Sequence, residues 1–532
     1  PLSRKSRSPM HPLVGVFVEL LPGCRHLPFP FPTWAVAAFI LMTSSLAPCQ
    51  AGTIIVDQTR WGDTDDLGTL AWAINKANTD VGNDVININV GRGTQINIDA
   101  ARPVLSSFIS EITDTLTING NGAVLWGDPK FLTGGGLEKD KYTVSKYVPG
   151  SDLLFQSAYS VTTVGADVEL TVNDLMADGV NGFVRLEENA VVNLNDVTVK
   201  NTVPYGYGAR AVVDASAGSV ANLTRVVMER INMLEELIAD GEFAWAGAVA
   251  GENATLNMME SVLRGSSSSA GGVNWLGGTA NIVSSIFDSN AGGLSIEEGV
   301  LNVTNSLFRL SGDSGTSRIQ ALLGGEANIV ASTVQVQTLE VFETSDSGYT
   351  SSGVPLRTSD GGAINLQQSV ISLLNQGFPG IFNDPAYDNR PINEAGTSGT
   401  FTADAATYIS PTSTQSLADL QLLFGQNNLL TDPVFRGTVS PGDPPLDGYL
   451  PLPAGAYPVG NLINTVADAD GVNQLINPID GTVLTKDVYG NPRTTGGVRD
   501  SGAVQHVPEP SSILMWSTLA LVVVGGGRRR AK

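Results

Sequence analysis

A chain of 532 residues, 42% apolar and only 15% charged, can bury a large core and is not broadly disordered. Its net charge of −22 repels phosphate backbones and anionic bilayers; this excludes a nucleic-acid binder and suits divalent cations, a saline exterior or plain solubility. Cys24 and Cys49 are the two cysteines and His11, His26 and His506 the three histidines, so residues 52–505 hold neither type. In that span disulfides, thiolate nucleophiles, zinc sites of Cys or His and a Ser-His-Asp triad are excluded. Chemistry there would rest on Asp, Glu, Lys, Arg, Tyr or a bound metal.

Residues 1–51 read as a secretory signal behind an N-terminal extension. The first 30 residues are rich in Pro and Arg, and a start at Pro1 points to a fragment or a displaced start. Trp34–Met42 is a short apolar core, and small and polar residues follow to Cys49-Gln50-Ala51-Gly52. A charged head, an apolar core and a small residue at the cut place cleavage between Ala51 and Gly52. Leu46-Ala47-Pro48-Cys49 has the outline of a lipoprotein box, but Pro before the Cys fits it poorly.

Residues 52–130 predict an N-terminal cap and the first coils. Thr53–Val56 is a β-branched strand, and Asp57–Asp66 is a polar turn. Leu67, Leu70, Ala71, Ile74 and Ala77 stand at helical spacing within Leu67–Asn78, and Asp84–Val90 alternates apolar residues with Asn. A helix beside the first strands suits a cap, because an open solenoid end exposes backbone and core.

Residues 131–374 predict the repeats, with rungs from about Val161 to Leu374. The clearest stretch is Gly271–Leu310, where one phrase occurs twice: Asn, an apolar residue, two variable positions, Ser, then two apolar residues. It begins at Asn281 and Asn302, and again at Asn257, Asn328 and Asn365, with looser copies at Asn193 and Asn222. Successive Asn are 29, 35, 24, 21, 26 and 37 residues apart, a period in the low twenties with insertions, which is a solenoid signature. Gly271-Gly272, Gly292-Gly293 and Gly361-Gly362 suit sharp bends between strands. Asn at equivalent places can hydrogen-bond its neighbour one rung along. These residues read as scaffold, not as catalysts. Lys130–Tyr159 and Phe342–Asp360 predict loops, and Glu229–Ala246 an insertion with a helix at Met233–Ile238.

Residues 375–505 predict a closing region. Asn375–Ser416 is loop-like in composition, and Leu417–Phe424 is a short helix candidate. Residues 506–532 form a tail: Val507-Pro508-Glu509-Pro510, the apolar run Ile513–Val524, three glycines, then Arg528, Arg529 and Arg530. The apolar run is short for a membrane span unless its flanks are included, and the arginines after it would stay cytoplasmic.

These residues carry several resemblances. Gly68–Asn78 is similar to the helix segment opening many bacterial right-handed parallel β-helix proteins, and Leu116–Ala123 to the rung that follows it there; Ala71 and Trp72 depart from the usual pattern. Phe287-Asp288-Ser289-Asn290 and Gly361-Gly362-Ala363-Ile364 resemble motifs of polymorphic outer-membrane and autotransporter-type repeats. Gly425–Phe435, Asp487-Val-Tyr-Gly490-Asn-Pro-Arg493 and Asp500-Ser-Gly502-Ala503-Val-Gln505 resemble the closing motif of the choice-of-anchor Q family, with Gln505 where Glu is usual. The tail resembles the PEP-CTERM sorting signal. The resemblances imply an all-β, right-handed parallel β-helix (solenoid) with a short N-terminal capping helix and a C-terminal cap. In that cap Arg493 would bridge to a carboxylate such as Asp500. They also imply export in a Gram-negative, exopolysaccharide-making cell, with an exosortase acting at the Pro-Glu-Pro segment.

Two functions stay open on the sequence. One is a non-catalytic surface or matrix protein with no cofactor, meeting extracellular polysaccharide or surface partners and touching the membrane through its tail before processing. The other is a polysaccharide lyase or hydrolase using carboxylates, with or without calcium. Its candidates are Asp167, Asp174, Asp178, Asp288, Glu297, Glu298 and Asp313, none of which lies in a recognisable hydrolase motif.

Overall fold

Short runs that alternate apolar and polar residues can bury only one side, and each therefore needs neighbouring strands. In the computed structural model they find them as a parallel β-helix, with strands stacked in register from one turn to the next. The model describes residues 52–80, 82–98, 111–127, 161–180, 182–202, 211–231, 247–264, 272–290, 293–312, 319–338, 356–358, 360–373, 381–383, 399–404, 407–409, 466–467, 474–493, 498–499 and 502–503. Each full turn lays down three strands. In one turn these are Val273–Leu276, Thr279–Val283 and Ile286–Asn290, on what we term the entry, asparagine and exit faces. The asparagine face runs in parallel pairing from Thr53–Val56, through Asp84–Ile88 and the first halves of Leu116–Gly127 and Glu169–Asp178, to Thr400–Ala403. The entry face spans Thr162–Val164 to Ile381–Asn383, and the exit face ends at Tyr408–Ile409.

Strands continue past residue 374, the expected limit of the repeats. Ile381–Asn383, Thr400–Ala403 and Tyr408–Ile409 lie in the stretch that reads as loop, yet they add one strand to each face. Leu356–Thr358, inside the expected loop Phe342–Asp360, is an entry-face strand, and Glu229 belongs to the strand Val227–Ile231 rather than to an insertion. In each case the preceding turn supplies backbone partners and so overrides a weak local preference. The expected loop Lys130–Tyr159, the helices at Met233–Ile238 and Leu417–Phe424, and the motif Gly425–Phe435 lie outside the described residues.

The core is a set of inward rows. One row of the asparagine face reads Val192, Ala221, Leu256, Ala280, Leu301, Ala327, Ile364 and Phe401, all buried. Large and small residues alternate along most of it. Rungs under 5 Å apart leave little room for a large side chain directly above another. On the exit face Phe287 and Phe308 stack with ring centroids 4.7 Å apart. On the entry face Trp275 is fully buried, and its Nε1 donates to the Ala254 carbonyl at 3.1 Å. Gly251 makes room for it: a Cβ there would stand 2.4 Å from the indole.

The bends are built differently from the glycine expectation. The corner between asparagine and exit faces is turned at Asp174, Asp196, Arg225, Glu260, Ser284, Asn305, Ala331 and Gln368, each at positive φ and none a glycine. Stacked pairing over-determines these residues and holds them in the left-handed region. The Gly-Gly pairs are not equivalent to one another. Gly361 (φ 79) turns the entry-to-asparagine corner, whereas Gly293 precedes an entry strand and its carbonyl accepts from Gly272 N at 2.8 Å. Gly362 accepts from Thr400 N at 2.8 Å. Gly271 and Gly292 lie outside the described residues.

The N-terminal helix is Leu70–Thr79. It starts later than its apolar spacing predicts, because the Thr69 hydroxyl accepts from Trp72 N and so sets the N-cap; Leu67 is left 74% exposed. Leu70 and Ile74 line a small apolar void together with Ile118, Leu125, Leu170 and Val172. The helix thus covers the end of the bore.

The described C-terminal segment lies along the flank of the coil, not across its end. Asp487 accepts from Tyr489 N and Asn491 N at 2.9 and 2.7 Å, and Gly490 has φ 85, which folds residues 485–493 into a tight loop. That loop aims Arg493 at the coil, where it is 1% exposed. Its Nε donates to Asn305 Oδ1 at 2.8 Å, and Nη2 donates to Asn305 Oδ1 and to the carbonyls of Ala331 (3.3 Å) and Gly502 (2.7 Å). The expected bridge to Asp500 falls outside the described residues, as do Asp500 and Gln505 themselves; the described partners of Arg493 are the side chain of a corner residue and two carbonyls. Gly502 N donates to Gln368 O, and Ala503 N to Thr333 Oγ1. Ala503 is buried against Ile286 and Leu307, the outer side of the exit face. Residues 474–493, together with Gly502 and Ala503, thus act as a clasp across several turns.

Candidate functional surface

The asparagines of the repeat form one continuous outer row. Asn193, Asn222, Asn257, Asn281, Asn302, Asn328 and Asn365 are direct register partners. Each Nδ2 donates to the Oδ1 of the Asn one turn earlier, at 2.8, 2.9, 2.9, 2.9, 3.2 and 3.0 Å. Asn193 donates to Thr171 Oγ1 at the start, and Thr402 donates to Asn365 at the end. Strand alternation points these side chains away from the bore while their apolar neighbours point in.

The repeat's serines form a second row, buried in the corner. Ser261, Ser285, Ser306, Ser332 and Ser369 each accept, at Oγ, a backbone N–H from the turn before, at 3.0 to 3.2 Å. Thr407 ends the row by accepting from Ser369 N at 3.3 Å. Each of those serine hydroxyls also donates to the carbonyl two residues earlier. The hydroxyls thereby satisfy backbone groups that the bend removes from the sheet.

The structure separates the candidate carboxylates. Asp167 and Glu298 sit at the entry-to-asparagine corner, and Asp174 at the next corner, where it pairs with Arg92 at 3.2 Å. Asp178 and Asp288 lie on the exit face, and Glu297 on the entry face. The exit face aligns Asp178, Lys200, Glu229, Arg264 and Asp288 as successive partners, so their charges alternate. Lys200 pairs with Asp178 at 3.3 Å, and Arg264 with Glu229. These acids are held by cationic neighbours along a ladder rather than brought together over a cleft. At the corner Arg225 grips Asp196 through two bonds of 2.6 and 2.7 Å, which holds the Asp196 carboxyl below its ordinary range and raises Arg225. No group of three or more His, Cys, Asp or Glu able to hold a metal stands among the described residues. Asp313 lies outside the described residues.

Of the expected processing residues, Gly52 is described and opens the first strand's ladder, its carbonyl accepting from Val85 N at 2.9 Å. Ala51, Pro508, Glu509, Pro510, Arg528, Arg529 and Arg530 lie outside the described residues, and so does the apolar run between the last two groups. No helix among the described residues is long and apolar enough to cross a membrane. Sequence reading passes over Asp84, an acid at an inward position of the strand Asp84–Ile88, where Ile86 and Ile88 share its side. An acid on the apolar side of an alternating strand was the available signal. Comparisons with family models, with curated proteins and with solved structures returned no match.

Proposed function

We propose that the chain is an exported, non-catalytic β-helix rod of the cell surface or exopolysaccharide matrix. In this reading a signal peptidase removes residues 1–51, and an exosortase-type enzyme acts at Pro508-Glu509-Pro510, with Arg528–Arg530 holding the tail's end at the cytoplasmic side. Its partners are extracellular polysaccharide or other surface components. One observation carries the choice of scaffold over enzyme: the polar residues of the repeat are turned on one another. The asparagines bond along their own row, the serines bond the backbone of the preceding turn, and the acids are spread over several faces and corners. A surface built this way is long, uniform and acidic, which suits a soluble spacer outside the cell.

The test is expression with both native ends in a Gram-negative, exosortase-bearing host, followed by fractionation and mass spectrometry of the termini. The expected product begins at Gly52, lacks the tail and leaves the cytoplasm. Replacing Pro508, Glu509 and Pro510 by Ala should keep the tail and hold the chain in the membrane fraction. Intact ends in the cytoplasm would sink the proposal. So would release of unsaturated or reducing sugar from acidic polysaccharides by the purified chain, if Asp288→Asn abolished it.

A further inference from the structure

Asp84 is a carboxylate in an apolar position. It is 3% exposed, and its Oδ1 accepts one bond, from Gly52 N at 2.7 Å. Its Oδ2 is buried and accepts none. A buried carboxylate with one neutral donor and, among the described residues, no cation beside it is costly, because one amide N–H replaces little of the water it loses. The approach is close: a Cβ on Gly52 would stand 2.8 Å from Oδ1, so a side chain there would push the carboxylate aside. The pairing Thr53↔Val85 holds Gly52 beside Asp84 at the head of the first ladder. Gly52 is also the residue that would become the first of the mature chain, after the small-x-small stretch Cys49-Gln50-Ala51.

We infer that Asp84 is the docking site for the α-ammonium group that cleavage creates at Gly52, so that processing completes the fold's N-terminal end. This rests on the export reading above. A signal-peptidase-type endopeptidase would hydrolyse the Ala51–Gly52 amide with one water. The water oxygen stays on Ala51 as its carboxylate, and both water hydrogens join the N–H of Gly52 to give –NH3⁺. The nitrogen that now offers Asp84 one hydrogen then offers three and carries a positive charge. Oδ1 keeps its bond, Oδ2 gains a donor, and the buried charge gains its counter-ion. In the uncut chain Asp84 is a liability; in the cut chain it is a clamp on Thr53–Val56, the strand that opens the coil and, among the described residues, pairs only with Asp84–Ile88.

The experiment compares Asp84→Asn in two forms of the full chain: the exported form, and a form whose cleavage is blocked by replacing Ala51 with a bulky residue. The N-terminal peptide of the exported wild type is sequenced first. A terminus other than Gly52 overturns both the cleavage site and the clamp. With the terminus at Gly52, Asp84→Asn should speed hydrogen exchange of Thr53–Val56 about tenfold in the processed chain, and leave it unchanged or slower in the uncut chain. Equal effects in both forms would overturn the clamp and leave export standing. A second readout needs no variant. The Gly52 amine of the folded, processed wild type should be acylated about tenfold more slowly than the same amine on a short peptide, because a paired ammonium exposes less free amine. Equal rates would also overturn the clamp.

Discussion

Ser306 shows how one hydroxyl serves two turns. Fully buried, it accepts from Ser285 N at 3.1 Å and donates to Thr304 O at 2.9 Å. Ser306→Ala leaves the buried Ser285 N–H unpaired and removes one of two donors from Thr304 O, which keeps Ser284 N at 3.0 Å; it should destabilise by about 1–3 kcal/mol in chemical denaturation. Asn302→Ala, one strand earlier on the outer row, should cost no more than about 1 kcal/mol, because Asn281 and Asn328 each keep their bond to the other row neighbour and Asn328 is only half-buried. An equal cost at both sites would contradict the burial argument. The phrase that marks the repeat contains both residues, but it does not rank them. Spacing shows that Asn and Ser recur; which of them is sealed from water depends on the bend between them, set by positive-φ residues as varied as Arg225, Ala331 and Gln368.

At the scale of the element, the clasp of residues 474–493, Gly502 and Ala503 is the part whose role changed most between sequence and structure. The loop chemistry of Asp487, Gly490 and Arg493 is local and legible: an acid that caps a turn, a glycine that permits it, and a cation three residues on. Its target is not legible, because Arg493 meets Asn305 across 188 residues of chain. Arg493→Met should weaken docking of the clasp by about 3 kcal/mol, since it removes charged hydrogen bonds and leaves Asn305 short of a partner. Hydrogen exchange should then rise across 474–493 while the strand Thr255–Met259 keeps its wild-type rate. Unchanged exchange in the clasp would mean that Ala503 and its apolar neighbours hold it without the arginine.

At the scale of the whole molecule, a stack in which each turn touches mainly its neighbours responds locally to damage. Gly251→Val forces a side chain into the Trp275 indole and should cost about 1–3 kcal/mol by overpacking. The loss of exchange protection should centre on Gly247–Glu252 and Val273–Leu276 and fade before Val370–Leu373. A uniform loss would show the coil to be one cooperative unit.

The sequence by itself determined the coil, the inward and outward sides of its strands, the capping helix and the asparagine row. Each is a matter of period or of a cap next to its own helix, and period is local information. Tertiary structure decided which apparent loops became strands, where the acids stand relative to one another, that the closing segment clasps the flank, and that Asp84 lies against Gly52. Those contacts join residues from 22 to 188 positions apart. Nothing in the residues between them records the meeting, because insertions of varied length are absorbed outside the ladder while the register inside it is kept.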